Sequence, residues 1–238
     1  VSEMFDMFDI TEVLDNLKPY TTKQEKDALL YIADRKKIGK GWKEIDYHVI
    51  LGILGIENPE IYTIKECEAI IFKLREISVS DLIQVKYVCS NCGKTDINVV
   101  NIPKMFMSCE PSNMLDQIRI IDNVVEYYTE FPDDVPIDVL EEFEEEVKKS
   151  NKCIFDKYQK IHCTFCGNES TFNSPAHEII SSMNLTEIYN QYADISFYSN
   201  NGKNDVDSMY PFEREAFIAL IQKRLDKQKQ QKQKKEEK

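Results

Sequence analysis

Cys89-Ser-Asn-Cys92-Gly and Cys163-Thr-Phe-Cys166-Gly are the two places where residue type and spacing together could do chemistry. In each, the two-residue gap lets both sulfurs reach one ion, and the glycine lets the backbone turn tightly behind them. Two such hooks supply the four thiolates of a tetrahedral structural Zn²⁺ site, so the metal set predicted here is Cys89, Cys92, Cys163 and Cys166. About 70 residues separate the hooks, against the usual 15–20 of a compact ribbon. Because loop-closure entropy grows only logarithmically, that insertion costs roughly a kcal/mol more than a short one. Cys153 and His162 stand near enough to the second hook to be substitute ligands.

Other thiol chemistries fit less well. A redox C-x-x-C usually opens a helix in a βαβ setting, whereas glycine turns and strand-like runs flank both pairs here. Disulfides suit small secreted chains. The acidic stretch from Val1 to Asp15 has no basic n-region, which predicts no signal peptide and a reducing interior. Cys67 falls on an apolar helical face and reads as core. A four-thiolate ion has no open position for water, so such a site staples a fold and does not catalyse. The three histidines (His48, His162 and His177) form no H-E-x-x-H, and there is no G-x-S-x-G. With only seven glycines, none in a phosphate-binding loop, the chain reads as a non-enzyme.

Composition bounds the rest. A chain of 238 residues that is 42% hydrophobic and 11% aromatic can bury a core. A net charge of −12 makes nucleic acid a poor default partner. No apolar run reaches the roughly 18–20 residues of a membrane span, so the expectation is a soluble, intracellularly made protein.

The elements that must position the hooks follow from periodicity. Residues 2–17 carry Phe5, Phe8, Val13 and Leu17 as an amphipathic helix or docking arm. Thr21 or Thr22 caps a helix running through Arg35, with Leu29, Leu30, Ile32 and Ala33 as its buried stripe. After a basic loop, a helical pattern returns from Trp42 to Gly52. Thr63 and Glu66 form a capping box for a helix burying Ile64, Cys67, Ile71 and Leu74. Val85, Tyr87 and Cys89 share one face of a strand, and Ile97–Ile102 returns as its hairpin partner. Tyr158, Lys160 and His162 alternate along the run into the second hook, and Ser170–Phe172 leaves it as a short strand.

The insertion, at about 103–152, holds strand-like Val124–Tyr128, a Pro-rich turn at 132–136 and a glutamate-rich helix from Ile137 to Lys149 that reads as a solvated face. Beyond Pro175 the pattern is helical, broken around Ser199–Asp207. It resumes at Pro211 with Phe217, Ile218, Ile221 and Leu225 as a stripe. Beyond Asp226 the Lys- and Gln-rich tail reads as a frayed helix or as disordered, and its charge is suited to an acidic partner. The fold class is therefore α+β: helical N- and C-terminal parts around a central antiparallel zinc ribbon with a long acidic insertion. The divisions fall at 1–79, 80–174, 175–226 and 227–238.

Three stretches carry a family resemblance. Lys18-Pro19-Tyr20-Thr21-Thr22-Lys23-Gln24-Glu25-Lys26, continuing to Leu29-Leu30, resembles an "RPF-x-x-KEEK-x-LL" opening, with lysine in place of arginine. Glu68 to Ser80 resembles an "E-x-LF-x-x-LR-x-x-SVG" helix and turn leading to the first hook, with Ser80 for glycine. Val206 to Glu215 resembles an "M-x-P-x-ERE" helix opening. In this order around the hooks they are similar to the baseplate hub assembly proteins of T-even-like, contractile-tailed bacteriophages. The resemblance implies a non-enzymatic role in building or forming the baseplate hub, in the host cytoplasm during assembly and in the virion tail. It implies other hub and tail proteins as partners, the tape-measure protein among them. By position, Arg75, Met209, Pro211, Glu213 and Arg214 are the matched motif residues and partner-binding candidates. Arg214 has two readings: a bidentate contact across an interface, or a lock of its helix onto its own domain. The competing function is a zinc-ribbon adaptor in a transcription or replication complex, which wants a basic or aromatic groove beside the hooks; Lys86, Lys94, Lys157 and Lys160 are the candidates for it.

Overall fold

A computed structural model describes residues 10–37, 46–106, 155–199 and 202–236. Within them the chain is mixed α+β, with helices at both ends and two small antiparallel sheets between. Phe5 and Phe8, Trp42–Ile45, Cys109, Cys153, the Val124–Tyr128 run, the turn at 132–136 and the acidic helix at 137–149 lie outside the described residues.

The helix at the centre is α4, Ile64–Ser78; α1 (Ile10–Asp15), α2 (Thr22–Lys37) and α3 (Tyr47–Ile53) precede it. Its predicted capping box forms in both halves: the Glu66 N–H donates to Thr63 Oγ1 at 3.3 Å, and the Thr63 N–H to Glu66 Oε2 at 2.7 Å. From Cys67 onward α4 is buried almost all round, with Ile70, Ile71, Phe72 and Leu74 at 1% exposure or less. A helix buried on nearly every side, Glu68 and Arg75 included, is a core element. Accordingly α1, α3 and the turn around Ala176 pack about it. In α3, Asp46 takes the N-cap by accepting the His48 N–H at 2.9 Å, so the described helix begins at Tyr47.

The buried face of α2 departs from its predicted stripe. Ile32 is buried as expected, but its companions are Ala28, Thr22, Glu25 and Lys26, while Leu30 is 40% exposed. Apolar content alone could not place Glu25 inside, because its burial depends on partners 156 and 189 residues away in sequence. Arg214 Nη1 lies 2.6 Å from Glu25 Oε2, and Ser181 Oγ donates to Oε1 at 2.5 Å. Lys26 pairs with Asp207 at 2.9 Å.

Strands β1 (Leu82–Val88) and β2 (Thr95–Asn101) form one hairpin, with Val85 opposite Asn98. After a short helix, α5 (Ile102–Met105), the chain leaves the described residues beyond Phe106 and returns at Phe155. These two ends are pinned side by side: the rings stand 5.2 Å apart and the Asp156 N–H donates to the Met105 carbonyl at 2.8 Å. The insertion thus leaves and returns at one seam. Strands β3 (Gln159–His162) and β4 (Glu169–Phe172) form the second hairpin, with Ile161 opposite Ser170. Tyr158, Lys160 and His162 face outward and Ile161 inward. One apolar core runs from Ile10 through α4 and both hairpins to Ile180.

A second, smaller core of Ile188, Tyr192, Ile195, Val206 and Ile221 joins α6 (Leu185–Ser199), α7 (Lys203–Ser208) and α8 (Pro211–Glu236). The stretch read as a break holds α7, closed by Asp205, whose Oδ2 accepts the Gly202 N–H at 2.8 Å. Helix α8 opens at Pro211 as expected and continues to Glu236, so of the two readings of the tail, frayed helix or disorder, it takes the helical one. Lysine and glutamine are good helix formers, and a 26-residue helix already nucleated on a core extends through them readily. Among the described residues no helix is long and apolar enough to cross a membrane.

Candidate metal centre

Each hook is built by its hairpin. At the end of β1 the Cys89 N–H donates to the Lys94 carbonyl at 2.9 Å, and the Gly93 N–H returns to the Cys89 carbonyl at 2.9 Å. The second hook repeats this, with Cys163 N–H to Asn168 at 2.9 Å and Gly167 N–H to Cys163 at 2.8 Å. Both turns close through a left-handed residue, Gly93 at φ 69° and Gly167 at φ 71°, the conformation that a side chain resists. Space is not the constraint there, since a Cβ at either glycine would meet nothing within 4 Å.

The turns face each other, and all four sulfurs lie within 4.8 Å of one another. Cys89 Sγ is 3.7 Å from Cys166 Sγ, and Cys92 Sγ is 3.7 Å from Cys163 Sγ. A tetrahedron with metal–sulfur bonds of about 2.3 Å has edges of about 3.8 Å, whereas a disulfide needs about 2.05 Å. The quartet therefore has the spacing of a four-thiolate ion site and not of two disulfides. Its electrostatics agree. The Asn168 N–H, then the Asn91 amide, pull Cys166 down to about 6. The Lys94 N–H favours the Cys92 thiolate, but partial burial and the neighbouring sulfurs outweigh it and push Cys92 up to about 11. Four thiols this close cannot all ionise without a cation between them.

The two hooks are joined by a residue that the sequence reading missed. Asp96, 6% exposed on β2, accepts the Thr164 N–H at 2.7 Å on Oδ2 and the Thr164 hydroxyl at 2.9 Å on Oδ1. Its Oδ1 also accepts the Ile97 N–H at 2.8 Å. The Thr164 N–H above all holds this carboxyl below the usual aspartate range. One carboxylate on the first hairpin thus fixes the turn that carries Cys163 and Cys166. An aspartate on the inward register of an otherwise apolar-and-amide strand face (Asn98, Val100) was the available signal. Asn98 Nδ2 and Gln159 Nε2 tie the two sheets together at 3.0 and 2.9 Å. Asp96→Ala is expected to leave the four ligands in place but weaken metal affinity roughly 10–100-fold, the usual effect of losing a group that orients ligands. Competition titration with a chromophoric chelator measures it.

The other candidates lie elsewhere. Cys67 is fully buried in α4, and burial pushes its thiol well above the ordinary range. His162 is exposed beside the quartet and is not part of it. Of the lysines that a nucleic-acid groove would use, Lys157 is paired to Glu68 at 2.7 Å and Lys160 to Glu169 at 2.9 Å. Lys94 lies over the exposed Phe165 ring at 4.7 Å.

The matched motif residues fall in two places. Arg75 is 4% exposed and donates from Nη1 to the Ser80 carbonyl at 2.5 Å, shaping the turn that launches β1. The rest gather where α8 meets α2. The Met209 carbonyl accepts the Thr22 N–H at 2.7 Å, Pro211 is the buried first residue of α8, and exposed Glu213 accepts the Tyr210 N–H at 3.0 Å. Arg214 is fully buried, donating to Glu25 and, from Nε, to Gln191 Oε1 at 2.7 Å. Both arginines are turned into this chain's own fold. Of the two readings of Arg214, the lock is the one its surroundings allow.

A family model described as "T4 bacteriophage base plate protein" matches residues 10–164, from α1 through Thr164. Comparisons with curated proteins and with solved structures give no match.

Proposed function

Since the chain belongs to the T4 bacteriophage base plate protein family, we propose that it is a non-enzymatic component or assembly factor of the baseplate hub, a protein–protein scaffold stapled by a structural Zn²⁺ on Cys89, Cys92, Cys163 and Cys166. The observation that carries the metal is the sulfur quartet, with paired sulfurs 3.7 Å apart. When bound, the ion supplies cross-linking and charge neutralisation. The chain's own residues do the rest: glycine turns aim the sulfurs, Asp96 couples the hooks, and the Phe106–Phe155 seam returns the second hook to the first. All four sulfurs would be ligands, which leaves no position for substrate water.

The likeness over residues 10–164 spans the helices α1–α4, the first hook and the start of the second at Cys163, so that body is the part proposed to meet other hub and tail proteins. The divisions proposed for the chain are a helical module at 1–79, the ribbon at 80–174, the helices of 175–226 held to α2, and the tail at 227–238. Met209 and Glu213 retain exposure at that seam and stay candidates for contact. Assembly in the host cytoplasm and a place in the virion tail follow from the same reading. Affinity capture of the tagged chain from infected cells, with mass spectrometry, tests it. Hub or tail proteins in fixed proportion are expected; polymerase subunits or nucleic acid instead would overturn it.

A further inference from the structure

The β1–β2 hairpin is a two-stranded sheet, and its two edges differ. The β2 edge is flanked by β3, through Asn98 to the His162 carbonyl and Gln159 to the Asn101 carbonyl. Among the described residues no strand pairs with the β1 edge. Which backbone groups face that edge follows from the ladder. Asp81 accepts from the Ile102 N–H and Cys89 donates to the Lys94 carbonyl, and both pairs continue the β1–β2 register. Bonded pairs alternate along an antiparallel ladder, so residues 81, 83, 85, 87 and 89 point their backbone groups at β2. Those of Leu82, Gln84, Lys86 and Val88 point outward; only the Leu82 N–H is locally engaged, by Ser80 Oγ at 3.1 Å. Their side chains are also exposed, Leu82 at 43% and Val88 at 66%.

We propose that this edge pairs antiparallel with the same edge of a second copy, joining two hairpins into one four-stranded sheet across a two-fold axis at Val85. The sequence of the strand chooses both the occupant and the register. Outward-facing groups can bond only if even-numbered residues oppose even-numbered ones, which leaves few alignments. Centring on Lys86 sets like charges opposite each other, a destabilising pair. Centring on Gln84 sets Leu82 against Lys86 and leaves Val88 without a partner. Centring on Val85 sets Leu82 against Val88, Gln84 against Lys86, and Ile83 against Tyr87 on the other face. In that register apolar faces apolar, no like charges stand directly opposite each other, and every residue of Leu82–Val88 has a partner. A strand that is its own complement fits the self-matching surface that a two-fold interface requires. A solitary lysine on the edge is also a common guard against such pairing; a chain that stays monomeric would identify Lys86 as that guard. The interface does not depend on the base plate reading.

Sedimentation equilibrium of the full zinc-loaded chain over a wide concentration range tests the proposal. A reversible monomer–dimer equilibrium is expected. Lys86→Pro removes one outward N–H and none directed at β2, so it should abolish the dimer while metal content stays unchanged. Gln84→Lys places a lysine opposite Lys86 at both symmetric positions and should weaken association roughly fivefold or more, whereas Gln84→Glu should tighten it in a salt-sensitive way. A wild-type chain monomeric at every concentration overturns the proposal. So does a dimer indifferent to both Gln84 substitutions, which keeps the test decisive if the proline variant fails to fold.

Discussion

Cys163→Ser is expected to abolish stoichiometric zinc binding and to unfold both hooks together with β3 and β4. The wild-type chain should hold one zinc per molecule, and the variant none after dialysis against a mild chelator. The effect is large because the second hairpin has little else. Its strands are four residues each, and only Ile161 and Phe172 carry apolar side chains into the core. Isolated two-stranded hairpins are marginal in water, whereas zinc binding supplies about 10–16 kcal/mol in small metal-folded domains. Losing even several kcal/mol of that should lower the thermal midpoint by roughly 10 °C or more, at about 2–4 °C per kcal/mol for a chain of this size. Acid should mimic the substitution, since proton and metal compete for the same thiolates. Elemental analysis and a melting curve measure both effects, and a variant that keeps one tightly bound zinc removes Cys163 from the ligand set. The helical module should survive, because α4 is buried by α1 and α3 without help from the metal.

That division between what the metal holds and what packing holds explains which features were legible in the sequence. The hooks were readable because a metal site demands fixed residue types at fixed short spacing, and the Thr63–Glu66 box and Pro211 because a helix end is a local event. The 70-residue gap obscured nothing, since Phe106 and Phe155 bring the chain back to where it left. The misreadings share one cause. Leu30 was expected inside and Glu25 was not, because counting apolar residues cannot see that Arg214 and Ser181 will neutralise and hydrogen-bond a carboxylate. Asp96 was overlooked for the same reason: its donors are on Thr164, in the other hook. The tail of α8 leaves two readings open in the sequence, a frayed helix or disorder, because the lack of an apolar stripe does not by itself decide against a helix. A helix anchored at Pro211, Arg214 and Ile221 needs only propensity to extend. Polar residues buried by long-range pairing are thus where a single sequence gives least warning, and they are what joins this chain's two cores.

Arg214→Ala should therefore act on the fold and not on a partner. The substitution leaves Glu25, fully buried, with the Ser181 hydroxyl as its remaining side-chain hydrogen-bond partner. Breaking one side of a buried ion pair typically costs about 3–5 kcal/mol, because the surviving charge is stranded in a poorly solvating interior. The same principle predicts that Glu25→Gln with Arg214→Met recovers much of that loss, as removing both charges removes the desolvation penalty along with the attraction. Urea unfolding of the wild type, Glu25→Gln, Arg214→Met and the double variant closes the cycle and isolates the coupling. A coupling well above 1 kcal/mol identifies the pair as the lock that seats α8 on α2; a cost under about 1 kcal/mol for Arg214→Ala alone would show that it is not one. Lys26–Asp207 lies in the same seam, with Tyr192 also on Asp207, so α6, α7 and α8 are held to α2 by charge and hydrogen bonds as much as by apolar area. Such a contact is specific in geometry, since each donor must find its acceptor. It would hold Met209 and Glu213 at one fixed place beside the body that carries the family likeness, which a purely apolar seam, free to slide, would not do.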